Sequence, residues 1–228
     1  MSTSSYTKVA ELLRLLRVRV EDTNDLAFSP QHKYDALDNA QRYICTVIHN
    51  NYLSSFEREK TIESEANGTI PLTEIESDGY GGIFRNEIIS VKGTIDNINR
   101  YFKKIEVKDV GKFDNQYLEA SYSNPMHYIF NDTIHLLPSQ QWDVVVSYIK
   151  EPDPIYNPHT TNVATNCELE LVLIDPLLDF AEAYLWKMDN KQNRTKMAME
   201  IGINTINLLN QRFEQERKIG VGSVGRND

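Results

Sequence analysis

Apolar residues near the start of the chain recur at helical spacing. Val9, Leu12, Leu13, Leu16 and Val20 follow the i, i+3, i+4, i+7, i+11 series of one helix face, with Arg14, Arg17 and Arg19 off that line. Ser4 or Ser5 is the candidate N-cap. Asp22-Thr23-Asn24-Asp25, residues that prefer turns, ends the pattern. Phe28-Ser29-Pro30 then opens a second helix, predicted from His32 to Leu53, with Tyr34, Leu37, Ala40, Ile44, Val47 and Ile48 on its apolar face. Two such helices joined by a short loop predict an antiparallel pair.

From Phe56 to Lys150 the pattern reads as strands and turns. Thr61-Ile62-Glu63-Ser64 and Thr69-Ile70-Pro71-Leu72 flank Ala66-Asn67-Gly68, a hairpin signal. Ile88 to Ile95 is rich in β-formers, and Lys104-Ile105-Glu106-Val107-Lys108 alternates strictly. Tyr128-Ile129-Phe130 and the run Thr133 to Pro138 are linked by Asn131-Asp132 as a tight turn, and Trp142 to Ile149 follows. Glu151-Pro152-Asp153-Pro154 ends the strand pattern, because proline lacks the amide donor a ladder needs.

Helical spacing then returns. Asp175-Pro176 predicts an N-cap followed by proline at the first helical position, with Leu177, Leu178, Ala181, Tyr184 and Leu185 as the buried stripe. Asp189-Asn190 marks a turn. The last helix is predicted from Asn193 to Lys218, a rod of roughly 35–40 Å at 1.5 Å per residue. Met199, Ile203, Ile206 and Phe213 form a heptad-like line along it, with Ile201, Leu208 and Leu209 beside it.

Neither helix pair can hide its apolar face alone, so the four are expected to pack together. The predicted class is α+β: a four-helix, mainly α bundle with an antiparallel β module inserted between the second and third helices. The bundle takes residues 1–54 and 166–218 and the inserted β module 55–150. A proline-rich linker follows over 151–165, and a flexible glycine-containing tail over 219–228.

Composition narrows the function classes. The chain has 228 residues, enough for a core without staples, and a formal net charge of −9. Its Lys and Arg are scattered among more numerous acids, whereas a DNA-gripping surface needs them clustered. An acidic surface would let DNA pass without sticking. Cys45 and Cys167 have no CxxC spacing and are expected as buried small hydrophobes in a reducing cytoplasm. Met1–Tyr6 is polar and no apolar run approaches the ~20 residues that span a bilayer, so neither classical secretion nor a membrane partner is expected.

Catalytic signals are weak. His32, His49, His127, His135 and His159 form no metal-binding motif, and no metal or other cofactor is expected. Gly79-Tyr80-Gly81-Gly82 lacks the Lys-Ser/Thr of a phosphate loop and reads as a loop or bulge. Glu57 with Glu59, or Glu74 with Glu76, could serve as paired carboxylates, but acids are abundant here and solvated side chains explain them. Tyr101, Phe102, Phe113, Tyr117, Tyr122, Tyr128 and Phe130 could stack on bases only beside a positive groove; core and interface packing is the better reading. Ile219, Val221 and Val224, apolar residues among glycines at the end of the chain, suit docking into a partner.

Three stretches carry a family resemblance. The first is Leu12 to Val20 with Asp22-Thr23-Asn24-Asp25 and the helix from Tyr34 to Ile44. The second is His135-Leu136-Leu137-Pro138 leading into Val144 to Pro152. The third is Leu177 to Leu185, the long final helix and its tail. Together they resemble tailed-bacteriophage head–tail adaptor (connector) proteins of the podovirus type, including the first ring protein below the portal in crAss-like phages. The resemblance implies no enzyme activity but a homo-oligomeric ring of about twelve copies at the head–tail junction of the virion, assembled in the host bacterial cytoplasm. The portal protein and other tail or ring proteins would be its partners, and double-stranded DNA would traverse the lumen without specific binding. Carried over, Arg212, Phe213, Arg217, Lys218, Ile219, Val221 and Val224 would be portal-side contacts. The alternatives are a phage-associated peptidoglycan hydrolase using paired carboxylates and a monomeric four-helix binding module.

Overall fold

A computed structural model describes residues 7–76, 82–95, 98–114, 120–157 and 162–222. In chain order, α1 (Val9–Arg19) and α2 (Pro30–Val47) precede a 3-10 helix (Asn50–Phe56). Next come β1 (Glu57–Glu63), β2 (Thr69–Pro71), α3 (Leu72–Glu76), β3 (Ile83–Ile95), β4 (Ile98–Tyr101) and β5 (Lys103–Lys104). A second 3-10 helix (Val107–Asp114) leads to β6 (Met126–Phe130), β7 (Thr133–Leu137) and β8 (Asp143–Lys150). The chain closes with β9 (Tyr156–Asn157), β10 (Asn162–Val163), a third 3-10 helix (Leu171–Leu173), α4 (Ile174–Met188) and α5 (Gln192–Gly222). The chain divides into two compact units, one of residues 1–55 and 152–228, the other of 56–151.

The expected four-helix bundle carrying one antiparallel β module is not what forms. The described residues hold five α-helices and three 3-10 helices, and their strands build two four-stranded sheets and a two-stranded ladder. Within the helical unit α4 is the centre. It packs on α2, α5 and α1, while α1 and α2 touch each other little. The reason is apolarity all round: Pro176, Leu177, Leu178, Phe180, Ala181, Ala183, Leu185 and Trp186 are all buried. The stripe Leu12, Leu16 on α1 and Leu37, Ala40, Ile44 on α2 closes over it, fully buried.

In the β unit the sheet orders are β1-β8-β3-β4 and β2-β7-β6-β5, and the second contains a parallel pair, Lys103 opposite Met126. The Asn67-Gly68 signal does not close a hairpin. Gly68 takes φ +77°, and a Cβ there would stand 3.0 Å from the Leu136 carbonyl oxygen. The chain turns there out of one sheet, where β1 pairs β8, into the other, where β2 pairs β7. Asn131 and Asp132, at φ 47° and 52°, do make the tight β6–β7 turn. Ile62, Ile70, Val91, Phe102, Ile134, Trp142, Val144, Val146 and Tyr148 form the core.

Several boundaries also move. The first-helix N-cap is Lys8, with no side-chain cap; Ser4 and Ser5 lie outside the described residues. Ser29 caps α2, its Oγ accepting from the His32 amide at 3.2 Å with Pro30 next. However, α2 stops at Val47 rather than Leu53. The alternating run from Lys104 becomes a 3-10 helix from Val107, and only Lys103–Lys104 pairs as strand. Asp175 lies in the first turn of α4 rather than capping it. The segment expected as an extended linker is woven in: Ile155 is buried, the Asp38 carboxylate accepts from the amides of Ile155 and Tyr156, and β9 pairs β10. The amides of Val9 and Cys167 donate to the carbonyls of Thr165 and Thr7 at 3.1 and 2.9 Å.

Candidate functional site

The last helix has two apolar faces. At 3.6 residues per turn, Ala198, Gly202, Ile206, Leu209 and Phe213 share the face laid on the rest of the unit. Gly202 permits the approach: a Cβ there would stand 2.9 Å from two carbons of the Phe180 ring. Phe180 is held in turn by Tyr43, edge to face at 4.8 Å. About a third of the way around the helix, Met197, Ile201 and Leu208 lie in line and stand 64%, 53% and 65% exposed. Large side chains aligned outward on one rigid rod form a surface that suits a partner.

The helix is clamped at mid-length. The Asn210 side chain accepts from the His49 amide at 2.9 Å and donates to the Val47 carbonyl at 3.0 Å. It thereby satisfies backbone groups at the end of α2, which is why that helix stops with no local breaker. Tyr52 donates to the Leu209 carbonyl at 3.2 Å, and His49 packs on the Phe213 ring at 3.9 Å between centroids. Of the carried-over contact residues, Arg212 is exposed and Phe213 is half-buried in this clamp. Arg217, Lys218, Ile219 and Val221 fall on the last helical turns, where the backbone remains helical to Gly222 instead of loosening after Lys218. Val224 lies outside the described residues.

The α1–α2 loop is the second feature, and the sequence reading missed it. The Asp22 carboxylate accepts from the amides of Leu26, Ala27 and Phe28 at 2.8, 3.1 and 2.9 Å. The fully buried Lys33 donates to Asp22 at 2.8 Å and to Asp25 at 2.6 Å, and the Arg17 guanidinium grips Asp25 with two nitrogens. Burial disfavours the Asp22 carboxylate, but Lys33 and the three amides outweigh it and hold the carboxyl far below its usual range. Arg17, then Lys33, pull Asp25 the same way. The product is a rigid loop whose tip carries Leu26, 87% exposed. A sequence signal existed: Lys33 falls on the buried helical line with Ala36, Leu37, Ala40 and Ile44, where a charge needs a partner.

Beside the α4–α5 turn lies a cleft of about 440 Å³ lined by Met199 and by the polar or charged residues Lys187, Asn190, Gln192, Thr195, Lys196 and Glu200. On its far side Arg194 lies over the Trp186 ring at 4.6 Å, and Trp186 meets Phe28 edge to face at 5.8 Å. Arg19 also reaches α4, pairing with Asp175 and Asp179; burial nevertheless pushes the Asp179 carboxyl up.

The remaining candidates are not brought together. Glu57 and Glu59 point to one exposed face of β1, an outer strand, and Glu74 and Glu76 are exposed on α3. Among the aromatics Phe102 is buried against Trp142 at 5.0 Å, whereas Tyr101, Tyr122 and Phe130 are exposed and Tyr128 stacks on His135 at 4.7 Å. Phe113 is half-buried; Tyr117 and His159 lie outside the described residues, as do residues 79–81 of the glycine knot. His127 is buried, donates from Nδ1 to the Phe102 carbonyl at 3.1 Å, and is pushed down to about 4 by burial. His32 is exposed. Cys45 and Cys167 are buried and not joined in a disulfide, the Cys167 thiol pushed up to about 11 by burial. Among the described residues no His, Cys, Asp and Glu cluster could hold a metal ion, and no helix is long and apolar enough to cross a membrane.

No protein-family model matches the chain, and no curated protein sequence matches it.

Proposed function

We propose that this chain is a non-enzymatic structural subunit of a tailed-phage head–tail connector. It forms a ring at the head–tail junction of the virion, assembled in the host cytoplasm, that binds the portal, surrounds the DNA channel and presents a platform to tail proteins. The observation that carries this reading is the outward face of α5. Met197, Ile201 and Leu208 are uncovered along a 31-residue helix whose other face is already packed. An apolar line on a rigid rod is stabilised by a neighbour, and one heterologous contact repeated by rotation closes a ring. The formal charge of −9 suits a channel through which DNA slides.

In this reading the last turns of α5 and the residues after them, with Arg212, Arg217, Lys218, Ile219, Val221 and Val224, meet the portal. Phe213 serves them from behind, since its stacking on His49 holds the helix in place. The test is the mass of the full chain in solution, by light scattering, with and without its cognate portal protein. A multimer of about twelve chains on the portal is expected. A chain that stays monomeric and leaves the portal bare contradicts the proposal.

A further inference from the structure

In the core of the β unit one histidine leaves half of its hydrogen-bonding capacity unused. His127 lies on β6 opposite Leu136 of β7, on the face that Ile129 and Ile134 turn to the apolar core. It is 2% exposed. Its Nδ1 donates to the Phe102 carbonyl at 3.1 Å, while Nε2 is buried with no partner. This place suits a neutral ring. An imidazolium would bury a second N–H with nothing to accept it. Among the described residues no carboxylate acts on the ring. Lys104 of β5 lies beside it and carries the same sign as an imidazolium. On β7, His135 is on the other face, stacked on Tyr128. On the second 3-10 helix Asp109 pairs with Lys112, and Lys108 pairs with Glu106. The other sheet contributes Val91, Val144, Val146 and Tyr148 to the same core.

We propose that His127 is an acid-sensitive latch: a proton taken up at Nε2 opens the β unit while the helical unit stays folded. The opening has a place to begin. β5 is two residues long and joins β6 as a parallel pair. The Lys103 and Ile105 amides hold it there, donating to the Pro125 and His127 carbonyls at 2.9 Å each. A charged ring turning toward water pulls on Phe102, directly before β5, and Phe102 packs edge to face on Trp142 at 5.0 Å. Burial, with the like charge of Lys104 added, outweighs the Phe102 hydrogen bond and holds the imidazole down to about 4, against its usual 6.5. The unfolded chain therefore takes up a proton that the folded core refuses. The stability that this lends the β unit is complete above about pH 6.5, drains as pH falls toward about 4 and drains no further below it. The helical unit answers differently. Its Asp22 and Asp25 carboxyls are held below 3.8, and Asp38 and Asp179, raised by burial, favour folding as pH falls.

The test is urea denaturation of the full chain from about pH 7 down to about pH 4.5, with both tryptophans labelled as fluorotryptophan. Fluorine NMR then follows Trp142 in the β unit and Trp186 in the helical unit separately. The folding equilibrium read at Trp142 should fall roughly a hundredfold over this range, and the one read at Trp186 should hold. His127→Gln keeps an N–H for the Phe102 carbonyl and has no ring to charge, so it should flatten the Trp142 response. Should that variant not fold, nitrogen NMR of the wild-type ring decides: at about pH 5 the folded His127 should still be neutral, with its proton on Nδ1. A β unit that keeps its stability across the range overturns the latch. So does an equal fall at both tryptophans, an undiminished fall in His127→Gln, or a folded His127 ring already charged at about pH 5.

Discussion

The helical unit and the β unit solve the same burial problem differently. In the β unit the core is closed on itself, and two of the outer strands, β1 and β2, are guarded. The outer strand β1 carries Glu57, Arg58, Glu59, Lys60 and Glu63, and β2 ends at Pro71. Charges and proline are what keep sheet edges from pairing with other chains. Its exposed large apolar side chains are Ile98 and Tyr101 on the outer strand β4, with Ile89, Val107, Tyr122 and Phe130 on other segments. In the helical unit α4 is buried all round, yet α5 leaves Met197, Ile201 and Leu208 aligned outward, and a buried ionic cluster props Leu26 into solvent. One unit is finished as folded; the other keeps surface in reserve. Association belongs to the helical unit on this account.

The strongest way to break that contrast is Lys33→Ala. It leaves the buried Asp22 carboxylate without its ammonium and the part-buried Asp25 with Arg17 alone, and should cost about 3–5 kcal/mol, read from chemical denaturation. A loss near zero would mean the loop is not held by charge. Ile134→Ala, in the β core, should cost about 3 kcal/mol by leaving a cavity. Denaturation of both variants, followed by Trp142 in one unit and Trp186 in the other, sharpens the division by showing which unit each change loosens.

Asn210→Ala should cost about 1–2 kcal/mol, because it strands the His49 amide and the Val47 carbonyl at the end of α2. Acid titration probes the same loop. Asp22 and Asp25 have carboxyls held below the ordinary 3.8, so their contribution is complete above about pH 4 and drains as pH falls further. Asp179, whose carboxyl is raised, works in the opposite sense, stabilising at low pH and less as pH rises through its folded value. A double variant Asp22→Asn, Asp25→Asn should therefore flatten the acid limb of the denaturation curve. Smallest of all for stability is Met197→Ser with Leu208→Ser, within about 0.5 kcal/mol for exposed sites. If that variant still forms rings with the portal as readily as the wild type, the outward face is not the association surface.

Much of the helical pattern was legible because local signals agree with tertiary burial. Val9 to Val20 on α1, the Ser29-Pro30 start of α2 and the Asn131-Asp132 turn each depend on a few adjacent residues. What stayed hidden depends on distant partners. The end of α2 is set by Asn210, over a hundred residues away, and the turn at Gly68 lies against a carbonyl of β7, the strand that β2 joins. Proline at 152 and 154 correctly excluded a long strand, yet Asp38 anchors the following residues to α2, which no local rule reveals. For the site, the apolar residues of α5 were readable, but which of them face outward was decided by Gly202 against Phe180. The loop that exposes Leu26 is held by Lys33, whose place on the buried stripe was the available clue.

Electron micrographs of the full chain mixed with its cognate portal, viewed down the portal axis, address the central claim most directly. A closed rotationally symmetric ring is expected, with the helical units touching side by side around it. Portals with no added density, or a ring joined through the β units alone, would contradict it.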